Sequence, residues 1–493
     1  MRSDLSIQDR LPSLLFWAGI VAVTAVLALW TVASPVWPLL CLAVFALLCF
    51  VFLRTSTAIL WSVFLYYLLF RLVIHFEGPV RTRPEVVYVG TGLAVLVPYV
   101  VWLIKHLTGI DQRPCKNTYQ PLIGFLFLCG AVSLLWTSDP VHGSILLFVM
   151  AVNFMIVQLV TVYIQTEADL RRFIAFVTGC GFALACLVLP SRNFYFSWNY
   201  EMWSGVTLAY EIGGDVLGPN PDLLRASGFA QVDLAGAGLT TFLFITLAMF
   251  FGAKRRAMRL LLLGLFQLLL TSLILTGAKA SAGAFLVGFY VVLLLAPSLK
   301  GRRIPALMLG TGALVLAFLT TGLLMGERRI VKSVQTSEAG STGAKSLFGR
   351  FEIWRKVFKD FKSFLYLFFG EGLGTSAAKP ETLPHAHSHY VSSFVDLGLV
   401  GFSLFMTISA KGLIELLINI KHRHNLFLRD TMVCLLGALI SVLIMGLVYQ
   451  EFTFPFFWMV IAMVAAVTMR SKTLDAEPEA SNRSQNRAKR ENE

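Results

Sequence analysis

Runs of about 18 to 24 apolar residues, separated by polar breaks, recur along nearly the whole of the 493-residue chain. A helix rises 1.5 Å per residue, so each run crosses roughly 30 Å of hydrocarbon and reads as a transmembrane helix. The runs start near residues 11, 35, 57, 86, 120, 143, 171, 230, 259, 280, 304, 391, 430 and 454. Helices alone satisfy every backbone polar group within such a run. The pattern therefore predicts an all-α polytopic membrane protein with about fourteen transmembrane helices, residues 1–470 forming a single transmembrane domain. The polar start, MRSDLSIQDR, precedes a first run without a small-residue cleavage site, which predicts a retained helix. Residues 471–493 mix charges with Ser and Asn and are expected to form a disordered cytoplasmic tail.

The polar breaks carry a sidedness signal. Segments 254–259 (KRRAMR), 300–303 (KGRR) and 421–429 (KHRHNLFLR) hold basic clusters, which the positive-inside rule assigns to the cytoplasm. Counting helices outward from them places both termini inside. The two longest connections, about 191–229 and 326–390, then fall on the outer, periplasmic side of a bacterial inner membrane. Arg81 and Arg83 run against the rule, since they fall on an outer loop.

Composition agrees with this picture. The chain is 57% hydrophobic and 14% charged, with a mean hydropathy of +0.73, outside the soluble globular range. The net charge of +13 is explained by basic cytoplasmic loops, so no nucleic-acid partner is expected. The seven cysteines are scattered, mostly inside apolar runs and without a CxxC pair, which supports neither a zinc site nor a disulfide framework.

Segment 326–390 is too long for a simple connection and too polar to cross the membrane. Within it Phe348, Phe351, Trp354, Val357, Phe358, Phe361 and Leu365 repeat at helical spacing, with Arg355, Lys356, Lys359 and Lys362 on the other side. This is the pattern of an amphipathic helix lying on the membrane. Arg350 falls on the apolar side, about one turn before Trp354. Two readings fit it: a side chain that snorkels or pairs with Glu352 or Glu371, and a ligand for a bound anion.

Next come GEGLGT (370–375) and HAHSHYVSSFVDLGLVGF (385–402), where three of the chain's eight histidines crowd a loop that re-enters the membrane. Spaced at i, i+2 and i+4, they suit a metal if extended, because alternate side chains share one face of a strand. A helix starting near Ser388 breaks that geometry. Surface histidines without a role are a further reading. Proton handling is the third, because imidazole titrates near neutral pH and can accept a hydroxyl proton.

These segments resemble the O-antigen ligase and O-antigen polymerase superfamily of bacterial membrane glycosyltransferases. HAHSHYVSSFVDLGLVG is similar to the family's His-Ala-His-Asn pattern with its following helix, and GEGLGT to the glycine-rich turn before it. GRFEIW (349–354), RASGFAQVDLAG (225–236) and WTSDP (136–140) also resemble family segments. The chain departs from the pattern at Ser388 and Asp233, where Asn is usual, and at TGAK (276–279), where a Ser-Arg pair is usual. The resemblance implies a GT-C-like fold and metal-independent, inverting transfer of a glycan from an undecaprenyl-pyrophosphate carrier to a sugar hydroxyl, with no cofactor. It implies His387 as the base and Arg225, Arg350 and Lys279 as pyrophosphate ligands, with His385 and His389 in support. A guanidinium can clamp phosphate oxygens through two parallel hydrogen bonds. Interfacial snorkelling accounts equally for Lys279.

Polymerase and ligase share this constellation and differ in acceptor, a lipid-linked glycan against lipid A core or protein. About fourteen helices favour the polymerase of an O-antigen or exopolysaccharide. A lipid-linked glycan transporter or flippase is the alternative of another class, but it predicts paired halves with broken helices, and no internal repeat is visible. Phe194, Tyr195, Phe196, Trp198, Tyr200 and Trp203 fit an interfacial aromatic belt, with sugar stacking as the alternative.

Overall fold

The computed structural model describes residues 55–68, 73–76, 87–111, 117–191, 195–203, 206–216, 224–228, 232–325, 354–355, 364–375, 388–449 and 454–470. Their helices are α1 (Thr55–Leu68), α2 (Val89–Leu107), α3 (Gln120–Ser133), α4 (Pro140–Tyr163), α5 (Glu167–Ser191), α6 (Val232–Gly252), α7 (Arg256–Thr276), α8 (Lys279–Leu295), α9 (Arg303–Met325), α10 (Phe364–Phe369), α11 (His389–His422), α12 (Leu426–Met445) and α13 (Pro455–Arg470). Among the described residues six, α4 to α7, α11 and α12, are long and apolar enough to cross a membrane. Every expected start from 57 onward lies within four residues of an observed one, and α10 is added. The first two expected helices, the tail 471–493 and all of the amphipathic stretch except Trp354, Arg355 and Phe364–Leu365 lie outside the described residues.

A five-stranded antiparallel sheet joins the helices: β1 (Val73–Phe76), β2 (Val87–Tyr88), β3 (Tyr195–Trp203), β4 (Val206–Val216) and β5 (Leu224–Gly228). β4 pairs with β3 along one edge, from Val206↔Trp203 to Gly213↔Tyr195. On its other edge β1 takes Val206–Ala209 and β5 takes Gly213–Val216. The sheet is an addition to the expected helical architecture. Aromatic and β-branched residues in YFSWNYEMW and VTLAYEIGGDV favour the pleat. The aromatic residues Tyr195, Phe196, Trp198, Tyr200 and Trp203, expected as an interfacial belt, lie in β3. The expected helix from residue 57 ends at Leu68, and Val73–Phe76 continue as a strand instead.

The chain divides into two compact units, residues 1–59 with 97–112 and residues 60–96 with 113–493. In the first, Ala58 and Val101 are buried with Val97 packed on them, and Trp102 stacks on His106. The second holds the sheet and the main bundle. At its centre α8 and α12 approach through Gly288 and Gly437: a Cβ on Gly288 would lie 2.4 Å from the Gly437 carbonyl oxygen. Small residues permit such contact between membrane helices, and Ser441 Oγ adds a 2.8 Å bond to the Ala284 carbonyl.

Within this second unit the basic breaks gather at one end. There Arg171 pairs with Glu167 at 2.7 Å and lies 3.6 Å from the Phe427 ring centroid, and Asn425 Nδ2 donates to Glu167 at 2.7 Å. Ser298 N donates to Asp430 at 3.2 Å. These contacts tie the start of α5 to the α11–α12 turn and the end of α8 to the start of α12. Glu415 accepts from Tyr119 at 2.8 Å, Thr468 at 2.9 Å and Lys411 at 2.5 Å, joining the starting end of α3 to α11 and the end of α13.

Candidate functional site

Opposite the basic end, the glycine-rich turn is the best-defined feature. Gly370, Gly372 and Gly374 have φ of 75°, 104° and 88°, a left-handed conformation that only glycine adopts without strain. The space is also closed to a side chain, since a Cβ would lie 2.4 Å from Asp396 backbone at Gly370 and 2.4 Å from Thr137 Cα at Gly372. Backbone groups of the turn are satisfied by two distant segments. Trp136 Nε1 donates to the Gly370 carbonyl at 3.1 Å, Thr137 Oγ1 to the Leu373 carbonyl at 2.8 Å, and Leu373 N to Ser133 Oγ at 3.1 Å. Glu371 N and Gly372 N donate to the carbonyls of Val395 and Asp396, at 2.8 and 3.2 Å. Those carbonyls are accessible because α11 breaks at Gly398 (φ 64°, ψ −166°). WTSDP, GEGLGT and VDLG, far apart in sequence, thus form one rigid assembly.

The His-rich segment enters the membrane beside it. Ser388 Oγ and His389 N both reach the Gly446 carbonyl, at 3.4 and 2.8 Å, and Tyr390 OH donates to Leu443 O at 2.7 Å. His389 is 4% exposed, its ring centroid 5.3 Å from that of Phe454, and neither ring nitrogen has a hydrogen-bond partner among the described residues. Phe454 in turn touches Tyr449, whose hydroxyl bonds Ser281 Oγ near the start of α8.

Lys279, the first residue of α8, is exposed two residues before Ser281, just after the left-handed Gly277 that ends α7. Arg225 lies in β5, in register with Asp215 of β4, and β5 packs against α5, α6 and α7. The β5 strand, the α7–α8 turn and the start of α11 therefore occupy one end of the bundle. His385, His387 and Arg350 lie outside the described residues. Among the described residues no group of three His, Cys, Asp or Glu side chains is arranged to hold a metal ion. Sequence reasoning passed over Tyr449 and Ser281, because single hydroxyls at helix ends carry no spacing signal. Thr137 was visible only as part of WTSDP.

The alternating helices, basic end and opposing polar assembly define a polytopic helical membrane protein. Residues 264–406 match the O-antigen ligase family model, and this supports assignment of the chain to the O-antigen ligase/polymerase family. The matched span contains Lys279, Arg350, the glycine-rich turn and all three histidines of the His-rich segment. No curated protein matches the chain. A solved structure described as "Structural coordination of polymerization and crosslinking by a peptidoglycan synthase complex" is similar over 71% of this chain and 94% of that one, at 19% identity and a TM-score of 0.37.

Proposed function

We propose that the protein transfers a glycan from undecaprenyl pyrophosphate to a sugar hydroxyl at the periplasmic face of the bacterial inner membrane, as an O-antigen or exopolysaccharide polymerase. The observation that carries the reading is the gathering of β5, the Lys279 turn and the entry of the His-rich segment at the end opposite the basic loops.

In this mechanism His387 accepts the proton of the acceptor hydroxyl as its oxygen attacks the anomeric carbon. The new glycosidic C–O bond forms on the face opposite the leaving group, so the configuration inverts. The bond to the carrier's pyrophosphate breaks, and its electron pair leaves with the phosphate oxygen. Arg225, Arg350 and Lys279 stabilise the charge that grows there, and no metal is required. His385 orients the donor or shares the proton, and His389 stands in support.

One observation favours a second reading, because the matching family model is that of O-antigen ligase. In that case the acceptor is lipid A core or a protein. The test incubates purified protein with lipid-linked repeat units, with and without lipid A core, and compares wild type with His387→Ala. Longer carrier-linked chains without core support the polymerase, and products that require core support the ligase. Equal activity in His387→Ala contradicts both.

A further inference from the structure

Seven cations of the basic end are concentrated in two short segments. Lys254, Arg255, Arg256 and Arg259 flank the start of α7, and all four are exposed. Lys300, Arg302 and Arg303 lead into α9 and are likewise exposed. Helices α7 and α9 pack against one another, and both begin at the basic end, where Gly252 meets Arg171 and Ser298 meets Asp430. Neither segment contains a carboxylate. Of the carboxylates identified at this end, Asp430 is buried at 1% exposure and accepts from Ser298 N, and Glu167 is held by Arg171 and Asn425.

Directly below these cations both helices turn large apolar side chains outward. Leu260 and Leu261 on α7 are 70% and 66% exposed, and Ile304 and Met308 on α9 are 70% and 72% exposed. Seven cations that meet no acidic side chain among the described residues, above exposed apolar side chains on both helices, match the two halves of a charged lipid. The positive-inside rule explains the sign of the loops, but not this pairing on two adjoining helices.

We infer that the α7–α9 rim is a binding site for an anionic phospholipid whose headgroup carries two negative charges. Its phosphates sit among the arginines and its acyl chains lie along Leu260, Leu261, Ile304 and Met308. The site is independent of the reaction proposed above, because it lies at the opposite end of the bundle.

The full-length protein in neutral detergent is titrated with cardiolipin, phosphatidylethanolamine or inorganic pyrophosphate, and followed by native mass spectrometry and thermal unfolding. Cardiolipin is expected to bind on the order of tenfold more tightly than phosphatidylethanolamine and to raise the Tm. Arg255→Gln/Arg256→Gln/Arg302→Gln/Arg303→Gln should lose that preference, while Lys421→Gln/Arg423→Gln, at the same end, should keep it. The milder Arg255→Gln/Arg302→Gln variant should lose part of it, which guards against misfolding of the fourfold variant. Wild-type preference in the Arg255/Arg302 pair, equal loss in the Lys421/Arg423 pair, or equal protection by pyrophosphate would each overturn the inference.

Discussion

Gly398 and Gly370 meet backbone to backbone: a Cβ on Gly398 would lie 2.4 Å from Gly370 N and 2.4 Å from the Phe368 carbonyl oxygen. The break in α11 and the glycine-rich turn are therefore one structure. Opening the helix at Gly398 frees the carbonyls that the turn's N–H groups need. Gly398→Ala would face both this clash and a left-handed backbone. The expected cost is on the order of 1–3 kcal/mol, with transfer activity falling more than tenfold while the protein still inserts. Thermal unfolding in detergent and a transfer assay check both parts.

His389 is buried, and its two ring nitrogens make no hydrogen bond among the described residues. An unsatisfied buried polar group weakens a fold, so His389→Leu is expected to leave the Tm at or above that of wild type. If the ring serves the reaction, the same variant loses transfer. Unchanged activity with raised stability would make His389 a packing residue only.

Glu415 and Lys411 are about a quarter exposed, with side-chain values of 23% and 26%. Glu415→Gln keeps one acceptor oxygen for Tyr119 and Thr468, which share Oε2, but puts an amide NH2 where Oε1 faced the lysine and removes its counter-charge. With solvent screening, the loss expected is about 1–3 kcal/mol. Adding Lys411→Met to that variant should restore most of the loss. Equal Tm values for single and double variants would show that the pair is not coupled.

Arg350→Lys keeps the charge and removes the two-pronged fork. Most transfer activity should disappear, with protein level and Tm unchanged. Full activity in this variant takes Arg350 out of the site.

Hydropathy made the helices legible because a membrane span needs length and apolarity, which no tertiary contact overrides. The observed starts at Gln120, Lys279 and Arg303 fall within one residue of those expected. The sheet was hidden because β3, β4 and β5 sit in a long polar connection, β1 continues an apolar run, and the pairing of Val73–Phe76 with Val206–Ala209 is long-range. GEGLGT was readable as a turn from glycine spacing. That its partners would be Trp136 and Thr137 was not, since those bonds join residues more than 230 positions apart. The Ser281–Tyr449 bond left no trace for the same reason.

The most direct measurement is an experimental structure with a non-hydrolysable undecaprenyl-pyrophosphate glycan analogue bound. Pyrophosphate oxygens are expected within about 3 Å of Arg225, Arg350 and Lys279, with the His387 ring facing the anomeric carbon. Pyrophosphate seated among Arg255, Arg256 and Arg302 at the opposite end, or a His387 ring turned away from the sugar, would contradict the proposed transfer.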